Sequence, residues 1–400
     1  MPSAAETLPL PGRRGVALFA AGFRPFFLGA GLYAVASVAT WLAVMAGAVP
    51  WMPADPVAWH RHEMLYGFVA AAIAGFLLTA VPNWTGARGY GGPPLAALAA
   101  LWLAGRLAMS PFLPVPPLAA ALIDTAFLPA LAALVLPSIV RAGNRRNYVF
   151  IGMLALLTLG SALFHAERLG LLAGGGEAGK RLALGIVLLM VALIGGRIVP
   201  SFTSSALKRE GRGVEIVQRP WLDRAALGLL VLLIPVGLLA PDSRLEGAVA
   251  AAAAGAHALR LAGWHGLRTL DQPILWVLHL GYAWVPAGLL LQAAWLLGGL
   301  EIGAAWAHAV TIGAFSTMIL AVMSRASLGH TGRALVVARP VTAAYLLITL
   351  AALARLAAPL LPDPQTAFAL SGLCWTAAFV LYCIVYAPIL LLARADGRPG

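Results

Sequence analysis

The stretch Trp59-His60-Arg61-His62-Glu63-Met64 runs directly into the apolar segment from Leu65 to Val81, and the reading of that junction decides the fold. Two of the chain's eight histidines stand one residue apart there, flanked by charge. The preceding residues carry Trp51, Pro53, Pro56 and Trp59 and read as a pinned interfacial loop. The histidines read either as a polar collar at a membrane surface or as a pair of metal or haem ligands.

Composition settles the class. Of 400 residues, 61% are hydrophobic and 10% charged, and the mean hydropathy is +0.88. Soluble domains hold roughly 45–50% apolar and about 25% charged residues, so the chain is expected to be an all-α integral membrane protein, a polytopic helical bundle with the lipid bilayer as its solvent. The 12 tryptophans suit interfacial belts. Cys374 and Cys383 share one apolar run, so neither a disulfide framework nor a CxxC site is indicated. The net charge of +12 fits cytoplasmic loops better than nucleic acid, which is not an expected partner.

Segments near the roughly 20 residues needed to cross a bilayer follow one another along the chain. They run at about 25–49, 63–83, 94–110, 117–140, 148–169 and 182–200, then 223–240, 247–267, 273–297, 303–323, 340–358 and 366–393. The expectation is a single transmembrane domain of about twelve spans. Residues 1–24 form an N-terminal segment, 25–200 hold six spans, 201–222 a basic loop and 223–393 the other six. With the termini and every second loop taken as internal, eighteen lysines and arginines fall inside, against five outside: Arg61, Arg168, Lys180, Arg181 and Arg244. Positive charge collects on the cytoplasmic side, so both termini are expected there and the His60/His62 segment outside.

Topology gives each histidine a depth. His62 heads the second span, His165 lies near the outer end of the fifth and His308 in the outer part of the tenth, so the three share a level. His257 lies near the middle of the eighth span and His279 in the inner third of the ninth. Polar groups within spans are costly and default to a functional reading. Imidazoles from two helices can ligate haem iron from both faces of a porphyrin, which makes His62 and His308 the candidate axial pair. Arg61 and Arg168 are the candidate propionate contacts. Arg106 and Asp124, at matching depth on consecutive helices, are expected to neutralise each other. Gly67, Ala71 and Gly75 form a small-residue stripe for close helix approach.

Five motifs together resemble the NnrS family. They are Gly22-Phe23-Arg24-Pro25-Phe26-Phe27; the opening stretch with Gly75-Phe76-Leu77-Leu78-Thr79-Ala80-Val81-Pro82-Asn83-Trp84-Thr85-Gly86; Gly195-Gly196-Arg197-Ile198-Val199-Pro200-Ser201-Phe202-Thr203; Leu278-His279-Leu280-Gly281-Tyr282-Ala283-Trp284; and Leu320 to Arg333. The resemblance runs nearly end to end. It implies a bacterial inner-membrane protein that binds haem b and copper and is associated with nitric oxide metabolism and nitrosative-stress resistance. It carries metal-site candidacy onto His60, His62, His279 and His308 and, with a weaker local match, onto His257. Histidines on spans two and ten also resemble those of haem-copper oxidase catalytic subunits, but spans six and seven, which bear metal ligands there, hold no histidine here.

Two functions follow. In the first, a haem/metal site near the outer face binds nitric oxide, or reduces it with electrons from a donor the sequence does not identify. In the second, His60, His62 and Met64 receive copper for a copper or haem carrier, imidazole and thioether both suiting that metal.

Overall fold

The computed structural model describes residues 16–49, 55–213, 215–217, 219–303 and 305–398. Arg13, Arg14 and Trp51 lie outside these. The described residues form helices and no strand. The main ones are α1 (Phe23–Met45), α2 (Pro56–Thr85), α3 (Pro93–Ala108), α4 (Pro117–Arg141), α5 (Arg145–Arg168) and α6 (Gly175–Arg209). There follow α7 (Pro220–Leu239), α8 (Arg244–Ala262), α9 (Pro273–Gly298), α10 (Ala305–His330), α11 (Arg339–Leu360) and α12 (Pro364–Leu391).

Ten of these helices are long and apolar enough to cross a membrane, and the chain is an all-α polytopic membrane protein. The other two, α3 and α8, occupy the places of the expected third and eighth spans. With 16 residues, α3 is about 24 Å long, short of the roughly 30 Å hydrocarbon layer. Helix α8 is alanine-rich and buries Glu246, His257 and Arg260.

Several boundaries differ from the sequence expectation, three of them at these places. Helix α2 starts at Pro56, because Asp55 accepts a hydrogen bond from the Ala58 amide at 2.9 Å and proline suits the first helical turn. His60 and Arg61 are therefore helical and not in a loop. Helix α6 runs through Pro200 for 35 residues, since a membrane helix tolerates proline where neighbours satisfy the freed carbonyl. Helix α10 reaches His330. Two segments widen to π-helix, Glu63–Val69 and Ala309–Ser316, each beginning directly after a histidine, His62 or His308. Such segments recur at functional sites.

The last helix closes on the first. The Trp375 indole donates to the Ala34 carbonyl at 3.0 Å. The buried Arg24 guanidinium donates to the carbonyls of Leu390 (2.9 Å) and Leu392 (2.7 Å), satisfying the end of α12. The stripe on α2 works as expected: a Cβ on Gly75 would strike the Phe27 ring, and one on Gly67 the Tyr33 ring and Arg106 Nη1.

Helices α5 and α6 touch backbone to backbone, a Cβ on Gly160 falling 3.1 Å from the Gly179 carbonyl oxygen and one on Gly179 striking the Gly160 carbonyl. Backbone cannot yield as a flexible side chain can, so Gly179→Ala is expected to destabilise the bundle by about 1–3 kcal/mol. A lowered melting temperature of the detergent-solubilised protein checks this, with Gly255→Ala, which meets open space, as the control.

Candidate functional site

At one end of the bundle five helices send polar side chains to a common point. Helix α2 places His62 and Glu63 at the start of its π segment, α3 brings Arg106 in its last turn and α4 brings Asp124. Helix α5 contributes Ser161 and His165, four residues apart and so on one face, and α1 adds Tyr33. His62, Glu63, Arg106, Asp124, Ser161 and His165 are all at least 95% buried.

The polar contacts form a closed ring. His62 Nδ1 donates to Glu63 Oε1 at 2.8 Å. Glu63 Oε2 accepts from Arg106 Nη1 at 2.5 Å and from the Tyr33 hydroxyl. Arg106 Nη2 pairs with Asp124 Oδ1. Asp124 Oδ2 then faces three groups: His165 Nε2 at 2.9 Å, Ser161 Oγ at 3.2 Å and His62 Nε2 at 3.1 Å. The last contact is close but out of line for a hydrogen bond, and His62 Nε2 and His165 Nδ1 are both buried with no hydrogen-bond partner. Two carboxylates stand against one guanidinium, an excess of one negative charge before the imidazoles are counted. Buried charge of that kind requires a compensating proton or cation.

A cavity of about 1110 Å³ opens beside this ring. Arg61, Arg168 and Lys180 give it cations, set against the carboxylates of Asp55, Glu167 and Glu177, the last 2.6 Å from Lys180, and Trp59, Leu65, Phe112 and Phe164 give it apolar wall. His62 forms part of its floor while only 2% exposed, so the cavity meets the cluster at one edge of that ring. Arg168 Nη1 rests 3.1 Å from Met109 Sδ. Arg61 pairs with Glu177 at 3.6 Å, and the two separate this cavity from a smaller one of about 390 Å³ against α7, α9 and α10.

The sequence candidates divide accordingly. His62, Arg61 and Arg168 come together on the large cavity. His60 stacks on Trp41, ring centroids 4.5 Å apart. The ring neighbours of His62 are Tyr66, Phe164 and His165, whereas His308 stands on α10, whose first turn packs on α9 and α11. His308 does not line the cavity that His62 lines. Arg106 and Asp124 do pair, but as members of the ring with Glu63.

Sequence reading passed over Glu63, taken as a flanking charge, and His165, whose depth matched that of His62. Their signal was the conjunction of level and charge: every one of these groups falls in the same layer of α2 to α5.

A second buried network lies toward the other end. Arg260 donates to Asp223 Oδ1 at 2.5 Å, to the Ala192 carbonyl at 2.9 Å and to the Tyr282 hydroxyl at 2.8 Å. The Tyr282 hydroxyl, which accepts from Arg260, also lies 2.8 Å from His257 Nδ1, and His257 Nε2 is buried with no hydrogen-bond partner. Gly195 and Gly196 make the space: a Cβ on either would strike Tyr282 or the Arg260 guanidinium. His279 Nε2 lies 2.8 Å from Thr203 Oγ1.

No curated protein matches this chain. The match that does appear covers the fold from α1 past α12 and contains both networks: residues 17–394 fit the family model described as NnrS protein, and the chain belongs to the NnrS family.

Proposed function

We propose that this chain binds nitric oxide at a haem and metal site at the His62 end of the bundle, in a bacterial inner membrane. Membership of the NnrS family supports a membrane protein related to nitric oxide. The observation that carries the finer reading is the joint lining of one cavity by His62, Arg61 and Arg168, three residues reached separately from sequence. The balance of positive charge supports an outward position for that end and cytoplasmic termini.

The cavity suits haem b in three respects: a volume of about 1110 Å³, apolar walls for the macrocycle, and Arg61, Arg168 and Lys180 to hold its carboxylates. It does not supply the expected pair of imidazoles, since His308 is absent from its lining. Ferrous haem, when bound, supplies reversible ligation of nitric oxide. An apolar gas partitions into the bilayer, and Phe112, Leu113 and Phe164 give it an apolar approach. The copper-carrier reading gains no comparable support. His60, His62 and Met64 turn to separate neighbours, Trp41, the carboxylates and Ser37 Oγ (3.6 Å from the Met64 sulfur).

Haem content of the purified full-length protein tests the cavity assignment. Arg61→Ala with Arg168→Ala is expected to lower haem retention about tenfold, the modest size reflecting partly solvated charges, while the protein stays monodisperse. Unchanged retention would remove haem from this cavity.

A further inference from the structure

We propose that His62, Asp124 and His165 form a binding site for a divalent first-row metal, ferrous iron by its donor set, distinct from the haem cavity beside it. His62 Nε2, a carboxylate oxygen of Asp124 and a ring nitrogen of His165 lie within 4.8 Å of one another, all three residues buried. Two imidazoles and one carboxylate, with further positions open, are the donor set of non-haem iron(II) centres.

The distances fit coordination. Ligands about 2.1 Å from a metal and at right angles to each other stand about 3 Å apart. Asp124 Oδ2 lies 3.1 Å from His62 Nε2 and 2.9 Å from His165 Nε2. Hydrogen bonding fixes His62 for the role. Its Nδ1 faces Glu63 Oε1 at 2.8 Å, which turns Nε2 toward Asp124 Oδ2. A cation between them would take both as ligands in place of a proton on Nε2 and balance the ring's second carboxylate. A carboxylate that orients a ligating imidazole through its other nitrogen is the usual supporting arrangement at metal sites.

Asp124 divides its oxygens, Oδ1 to Arg106 and Oδ2 to the histidines, so metal binding leaves the guanidinium pair in place. For His165 to ligate through Nε2, the proton it donates to Oδ2 moves to the unpartnered Nδ1. Phe164, beside the His62 ring at 4.3 Å between centroids, and the cavity edge at His62 give the open positions an apolar approach. In the nitric oxide reading proposed above, this metal lies next to the haem pocket.

The test uses the full-length protein in detergent, loaded anaerobically with ferrous iron. One tightly held non-haem iron per chain is expected, with X-ray absorption showing imidazole and oxygen donors and no sulfur. His165→Gln, which keeps an amide donor toward Asp124, and Asp124→Asn are each expected to lower iron affinity more than tenfold at unchanged haem content. No iron uptake by the wild type, a sulfur-ligated iron, or folded variants that hold iron as the wild type does would overturn the site. If neither variant folds, the X-ray absorption of the wild type decides alone. The nitric oxide arm is separate. Iron with the high-spin EPR signal of a non-haem ferrous nitrosyl supports both readings. Iron that ignores nitric oxide leaves the site and removes its functional role. Nitric oxide uptake at haem alone, with no iron in the triad, leaves the functional reading and removes the site.

Discussion

Arg106→Leu eliminates folded protein from the membrane. The guanidinium lies between Glu63 Oε2 at 2.5 Å and Asp124 Oδ1, with Tyr33 and the Trp102 indole closing the space around it, the latter donating to the Gly67 carbonyl at 3.0 Å. Removing it strands two carboxylates in a bundle interior with no water to take them. Breaking one buried pair costs about 3–5 kcal/mol, and two at once exceed what a marginally stable fold holds in reserve. Size-exclusion profiles of a fluorescently tagged protein report the loss. Asp124→Asn added to Arg106→Leu does not restore the peak, because Glu63 is still charged; adding Glu63→Gln as a third change restores most of it. Full rescue by the double variant would show that Arg106 and Asp124 form a simple pair and that Glu63 stands outside it.

Arg260→Leu lowers stability by about 2–4 kcal/mol and leaves nitric oxide binding per folded molecule unaltered. Its three hydrogen bonds hold α6, α7 and α9 to α8 through Ala192, Asp223 and Tyr282. Loss of the charged donor unpairs a buried carbonyl and hydroxyl, each worth about 1–3 kcal/mol, while the partly exposed Asp223 regains water, which keeps the loss below that expected at Arg106. Arg260→Lys fails nearly as badly, since an ammonium cannot reach three acceptors in a fixed fork. Thermal unfolding in detergent gives the stability, and nitric oxide titration of the surviving protein gives the second half. A lost nitric oxide signal with intact stability would move the functional site to this network.

The class of fold was legible from composition because a bilayer demands helices with apolar surfaces, and ten such helices satisfy it. The small-residue stripe was legible because only Gly67 and Gly75 let α1 come so close. The His62 end was half legible: depth put His62, His165 and His308 in one layer, and charge matching joined Arg106 to Asp124. Depth carries no azimuth, however. It could not say that Phe164 and His165 of α5 stand beside the His62 ring. Pairwise neutralisation hid the third partner, since Glu63 read as a neighbour of His62 in sequence and not of Arg106 in space. Helix ends misled beside two prolines: Pro56 was read as loop and starts α2, and the sixth span was expected to end at Pro200, which α6 passes through.

The central claim is that nitric oxide is met at the His62 end of this bundle. Absorption and EPR spectra of the purified full-length protein, recorded before and after nitric oxide with haem and metal analysis of the same sample, test it most directly. The account predicts a nitrosyl signal in the wild type, lost in His62→Ala protein that remains monodisperse and retained in Arg260→Leu. Haem- or metal-loaded wild type with no nitrosyl signal, or His62→Ala protein that binds nitric oxide as the wild type does, would contradict it.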